Sequence, residues 1–150
     1  MTRFKFLLFT FSISLLVILT ACDSSNDIHT KKVCPQCNMP LPKSNIHTST
    51  ISKDGEFTYF DDVGCMILWS KTNNINLKEI KTKIFTNDTK RYIDSFSAFY
   101  KIDEKTPMGY GFSAYEKELE QTIGFDEVII RMLRGEHMAN PKIRKQILGY

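Results

Sequence analysis

The chain has 150 residues, of which 42% are hydrophobic and 25% charged, with seven Gly and five Pro. That is the composition of one small globular domain, and it excludes a collagenous, low-complexity or largely disordered chain. The formal charge is +3, but Arg3 and Lys5 belong to a leader, so the remainder is close to neutral. Nucleic-acid binding, which needs a concentrated basic footprint, is not indicated, nor is polybasic adhesion to a membrane.

The first segment reads Met1-Thr2-Arg3-Phe4-Lys5, then an apolar run from Phe6 to Leu19, then Thr20-Ala21-Cys22. A basic start, a short apolar stretch and small residues make an export signal over residues 1–21. The run is short of the roughly 20 apolar residues that a membrane-spanning helix needs. Leu19-Thr20-Ala21-Cys22 resembles the lipobox of bacterial lipoproteins, in which the cysteine is lipidated and becomes the first mature residue. The resemblance implies that Cys22 carries acyl chains, each buried methylene contributing roughly 0.8 kcal/mol of attachment to the lipid bilayer. Residues 22–33 are then the lipidated Cys and a tether, polar apart from Ile28 until Val33. Asp23 resembles an inner-membrane retention signal, so the expected location is the periplasmic face of the inner membrane.

Residues 34–150 form the expected domain, which opens on Cys34-Pro35-Gln36-Cys37-Asn38-Met39. With Cys22 used for lipid, Cys34, Cys37 and Cys65 remain, an odd number for an exported chain. Three readings of the motif compete. A thioredoxin-like redox pair would sit at a helix N-terminus, but Pro42 would fall inside that helix at a cost of about 3 kcal/mol. A zinc knuckle could draw on Cys34, Cys37, Cys65 and either His47 or His137, without a second Cys-x-x-Cys to complete it. In the third, Cys37 and Met39, two apart in an extended segment, share a face. A thiolate beside a thioether is a soft site, suited to Cu(I).

Further along, alternation from Ile46 to Ser52 predicts a strand, Asp54-Gly55 a hairpin turn, and Phe57 to Phe60 its return. Asp61 or Asp62 caps a helix to about Lys71, with Val63, Met66, Ile67 and Ser70 on one face and Asn73-Asn74 at its end. One of the two aspartates serves as cap and the other is expected at the surface. Cys65 is expected as a buried thiol on the apolar face. Strands follow at Ile80–Thr86, around Tyr92-Ile93 and at Ala98–Ile102. Ser113 is read as the cap of a charged helix to Gln121, Phe125–Leu133 as a more apolar helix, and Pro141–Tyr150 as a short terminal one. Strands mixed with helices, without strict alternation, predict an α+β domain. In Pro107-Met108-Gly109-Tyr110-Gly111 the glycines bend the chain, and by itself Met108 reads as core packing.

Three segments together resemble the NosL family of nitrous oxide reductase accessory lipoproteins. They are Val33-Cys34-Pro35-Gln36-Cys37-Asn38-Met39, Tyr59-Phe60-Asp61-Asp62-Val63-Gly64-Cys65-Met66, and Pro107-Met108-Gly109-Tyr110-Gly111 with Ala114-Tyr115. The resemblance implies an α+β fold of two small ββαβ lobes, similar to organomercurial lyase. It also implies a membrane-anchored Cu(I) metallochaperone supplying the multicopper centre of nitrous oxide reductase. The implied partners are that enzyme and the membrane transport complex that matures it. By matched position the implied metal ligands are Cys37, Met39 and Met108, with Cys34 as ligand, transfer thiol or half of a disulfide. Asn38 stands where the family has Gly, and Asn tolerates the left-handed conformation better than most residues. No catalytic residue is assigned.

Two other classes stay open. One is an exported lipoprotein stapled by zinc or by a Cys34–Cys37 disulfide, without copper delivery. The other is an enzyme, either a thiol oxidoreductase or a carbon–mercury lyase using Cys37, Cys65 and Asp62. Fold alone does not confer such an activity.

Overall fold

In the computed structural model, residues 33–150 are described. The export signal, Cys22 and the tether up to residue 32 lie outside the described residues. The first hairpin pairs β1 (Ser49–Lys53) with β2 (Glu56–Phe60), Ser49 opposite Phe60 and Lys53 opposite Glu56. Asp54 and Gly55 turn it with φ of 52° and 85°. Two successive positive φ values match the twist of the flanking strands, and an Asp-Gly pair supplies them at little cost. β1 starts three residues later than the alternation predicts, because Asn45 and His47 take φ of 57° and 68°. The Thr48 hydroxyl closes that kink on Asn45 O at 2.6 Å.

α1 (Val63–Thr72) follows β2 directly, capped by Asp62, whose carboxylate accepts the Gly64 N–H at 2.9 Å. The face expected to be apolar is the face that is buried: Val63, Met66, Ile67 and Ser70 all lie inside. β3 (Lys81–Phe85) then pairs with the other side of β1, and β4 (Tyr92–Asp94) with β3. The result is an antiparallel sheet in the order β2-β1-β3-β4. α1 packs its buried face toward Ile51, Phe60 and Ile84, and the Phe60 and Trp69 rings meet at 5.4 Å.

The Asp94 side chain caps a short 3₁₀ turn at Ser95–Ser97, after which β5 (Phe99–Lys101) pairs with β6 (Ser113–Tyr115). Tyr100 also exchanges two 2.9 Å backbone bonds with Ile123. α2 (Phe125–Arg134) buries Phe125, Val128 and Met132 and stops at Gly135, where φ is 72°. α3 (Pro141–Leu148) starts from the Asn140 cap with proline in its first turn, where the missing N–H goes unnoticed. Phe125 stacks on Tyr100 at 5.6 Å, so the second half shares the hydrophobic core of the first. Among the described residues no helix is long and apolar enough to cross a membrane.

The domain is α+β, with two departures from expectation. Ser113 does not cap a helix but lies in β6, fully buried, with its hydroxyl 3.1 Å from His47 Nδ1. The N–H groups of Glu116 and Lys117, which the expected helix would direct to Ser113, are both taken at 3.0 Å by the Asp88 carboxylate. Pairing and burial of Ser113-Ala114 thus outweigh the helix propensity of the charged residues after them. The second departure is in the lobes. The order ββαβ appears in β1-β2-α1-β3, but no strand follows α2 among the described residues. The chain turns at Gly135 and enters α3 instead.

Gly55 and Gly111 both have positive φ, but a Cβ on Gly55 meets nothing within 4 Å. One on Gly111 would fall 2.5 Å from Ile102 O and closer still to Met138. Gly55→Ala is therefore expected to cost about 1–2 kcal/mol from conformation alone, and Gly111→Ala about 1–3 kcal/mol more from overpacking. Urea unfolding of the two variants checks this ordering.

Burial holds the pKa of His47, and also that of His137, below the usual imidazole value. A base with a depressed folded pKa stabilises the fold fully above its unfolded pKa of roughly 6.5 and loses that contribution as pH falls through the folded value. Melting temperatures at about pH 7.5 and about pH 5.5, roughly one unit either side of that value, should differ less in His47→Gln than in the wild type.

Candidate metal centre

The site is assembled from one turn and one helix start. In the turn, Cys34 N–H donates to Met39 O at 2.9 Å and Asn38 N–H to Cys34 O at 2.9 Å. A bridge between Val33 and Pro40 closes its base. Asn38 has φ of 61°, so it takes the left-handed conformation, which Asn tolerates better than most residues. Cys34 and Cys37 are thereby aimed at one place.

The opposite wall comes from the chain leaving β2 for α1. Asp61 lies just before the cap and Cys65 in the first helical turn. The Asp62 cap between them is still extended, with φ of −147° and ψ of 145°, so Asp61 comes from the strand end and Cys65 from the helix. The ligand atoms of Cys34, Cys37, Asp61 and Cys65 all lie within 4.8 Å of one another. The Cys37 thiol faces both oxygens of Asp61, at 3.2 and 3.3 Å. Cys34 and Cys65 are 0% exposed and Asp61 1%, whereas Cys37 is only half-buried. All three cysteines are free thiols.

The electrostatics follow from these contacts. The Cys65 thiol beside Cys34 holds the Cys34 pKa down to about 6, against opposing burial. The same contact, with burial second, raises Cys65 far above the ordinary thiol range. Burial first, and then the proximity of Asp61 and Cys34, push Cys37 up to about 11, although the Met39 N–H opposes them. Cys34 is thus the thiol most readily present as thiolate, and thiolate is the form that binds metals. Three sulfurs and one carboxylate oxygen at this spacing can hold one metal ion. Such a donor set suits Zn(II) or a soft ion such as Cu(I), and is a poor match to Ca(II) or Mg(II), which take oxygen ligands.

Of the copper ligands implied by the resemblance, Cys34 and Cys37 meet here, and the three cysteines of the zinc reading all do. Met39 contributes its backbone to the turn and its side chain is 39% exposed. The Met108 N–H donates to Asp62 at 3.3 Å, and its half-buried side chain packs against the core. His47 and His137 do not belong to the four-residue group. His47 is engaged with Ser113, and the His137 ring meets Tyr110 edge-on at 4.9 Å.

Two residues of the group lie outside the copper ligand set that the resemblance implies, Cys65 having entered only the zinc and lyase readings and Asp61 none. Cys65 is buried, as expected, but it faces the other thiols instead of serving only as core. Asp61 is not at the surface; the strand end carries it inward, and the acid that meets Cys37 is Asp61 and not Asp62. Asp62 is fully buried and already accepts from Gly64 N–H, Met108 N–H and the Thr106 hydroxyl. No local spacing marks Asp61 in the sequence, because the chain is extended at the Asp62 cap. No protein-family model, curated protein or solved structure matches the chain.

Cadmium titration, read by the sulfur-to-metal charge-transfer absorption, tests the group. Its intensity should fall stepwise in Cys34→Ser, Cys37→Ser and Cys65→Ser and remain unchanged in His47→Gln. Asp61→Asn should weaken binding by about tenfold or more while keeping the intensity, since even outer partners of a metal site reach that magnitude.

Proposed function

We propose that the chain is a Cu(I) metallochaperone of the NosL type, anchored to a membrane through lipidated Cys22. In this reading it supplies copper for the multicopper centre of nitrous oxide reductase, working with the membrane transport complex that matures that enzyme. The observation that carries the metal-carrier part is the convergence of Cys34, Cys37 and Cys65 on one place with one thiol toward solvent. A carrier needs donors soft enough to hold Cu(I) and an open side from which another ligand can take it. The exposed Met39 beside Cys37 supports a thioether near that open side. Met108 is the second thioether of the reading, on the turn fastened to Asp62. The client and the kinship to organomercurial-lyase-like lobes rest on the three sequence blocks, and the ββαβ order of β1-β2-α1-β3 agrees with them.

One observation favours a second reading. Asp61 adds a hard oxygen to three sulfurs, which would complete a tetrahedral zinc site in an exported lipoprotein without delivery.

The test is an anaerobic Cu(I) competition titration of the full chain in detergent micelles, with Zn(II) in parallel. One Cu(I) bound in preference to zinc, and weakened about tenfold or more by Met39→Leu and by Met108→Leu, is the expected result. Zinc preference with indifference to both methionine changes would sink the copper reading.

A further inference from the structure

The four donors of the site differ in access, and that difference assigns them separate tasks. Cys34 and Cys65 are completely enclosed, one pinned by its backbone at the base of the turn, the other built into the first turn of α1. Asp61 is enclosed with them. Cys37 lies next to the left-handed Asn38 and keeps part of its surface in solvent. Around it the turn exposes two apolar side chains, Met39 and Val33, the latter half in solvent. A metal–sulfur bond is only about 2.3 Å long, so an incoming donor must come that close to the ion. The Cys37 side is where the group opens.

We infer that Cys34 and Cys65 are the retaining pair and that Cys37 is the exchange ligand, replaced first when a partner's thiolate or thioether takes the metal. This rests on the copper-carrier reading and specifies its transfer step. The partner's chemistry follows: a soft donor on a protruding segment, flanked by apolar residues that can cover Val33 and Met39. With an incoming thiol, the new metal–sulfur bond forms on the open side as the metal–Cys37 bond breaks. The proton shed by the incoming thiol ends on the Cys37 sulfur, whose S–H then donates to Asp61, 3.2 Å away in this structure. No electron is transferred, and the copper stays Cu(I). Cys34 and Cys65 are released only afterwards, once the partner supplies a second donor.

The experiment uses the Cu(I)-loaded full chain in micelles, without oxygen, with glutathione as the incoming thiol. Native mass spectrometry seeks a complex of one chain, one Cu(I) and one glutathione, and a brief pulse of iodoacetamide marks the displaced thiol. The expected result is that complex with alkylation at Cys37 alone, and a Cys37→Ser chain that keeps one Cu(I) and forms the complex at a several-fold lower glutathione concentration. Alkylation of Cys34 or Cys65 at the same rate as Cys37, or loss of copper without a ternary complex, would overturn the inference while leaving a copper carrier standing. A wild-type chain that takes up no Cu(I) would remove the carrier reading itself. The labelling is read on the wild type, so the outcome does not depend on a cysteine variant folding.

Discussion

The start of α1 hangs on one buried carboxylate. Asp62 has no exposed surface, and burial raises its pKa to about 6 despite the Thr106 hydroxyl and the N–H groups of Gly64 and Met108, which favour the charged form. A carboxylate so enclosed would cost several kcal/mol without such donors, and the helix N-terminus adds its own favourable field. The three donors come from different parts of the chain. The Gly64 N–H opens α1, while Thr106 and Met108 belong to a turn more than forty residues later. Thr106 in turn accepts the Gly111 N–H at 3.2 Å. Asp62 therefore fixes where the helix begins and what lies over its first turn. Tyr110, carried by the same turn, lies so close to Gly64 that any Cβ there would collide with its ring. With the helix start fixed, Asp61 and Cys65 have no freedom to face anywhere but the Cys34–Cys37 turn.

That geometry settles what the sequence could convey. The Asp-Gly hairpin, the capped helix and its buried face were legible because each is written within a few neighbouring residues. The pairing of Cys34 with Cys37 was legible for the same reason. The meeting of Cys37 with Asp61 spans 24 positions and depends on the register of β1 against β2, which no local pattern displays. Asp61 and Asp62 looked equivalent as caps, and only the direction of the strand end separates them. The segment after Ser113 failed differently. Its local signal was real, but Asp88 supplies the hydrogen bonds that a helix would have made, and burial of Ser113-Ala114 decides the contest.

The thiols are not equivalent either, and one contact makes them so. The Cys34 and Cys65 side chains share a proton unevenly: the donor is pushed up and the acceptor down. Cys37 has its own acceptor in Asp61. Two hydrogen bonds thus organise the group, Cys65 to Cys34 and Cys37 to Asp61, and a bound metal must replace at least one of them. Replacing the first needs one proton to leave and uses the sulfur that is already inclined to be a thiolate. Replacing the second removes the Cys37 donor from the Asp61 side chain and places a new thiolate beside its carboxylate.

Charge then bears on which ion the group can hold. Three thiolates and a carboxylate around a monovalent ion would leave several uncompensated negative charges in an enclosed space, a costly arrangement. A divalent ion relieves one of them and can use the Asp61 oxygen, which is the attraction of zinc. A monovalent ion is better served when the Cys34–Cys65 pair holds it most firmly and Cys37, against Asp61, is the weakest-held ligand. A thioether then has a particular advantage as the next donor, because it is soft and brings no charge. On this argument the methionines in the proposed ligand set and the weak hold of Cys37 have a common cause. Copper(I) beside a buried carboxylate favours neutral sulfur over a third thiolate, and the thiol that keeps part of its surface in solvent is the one most easily given up.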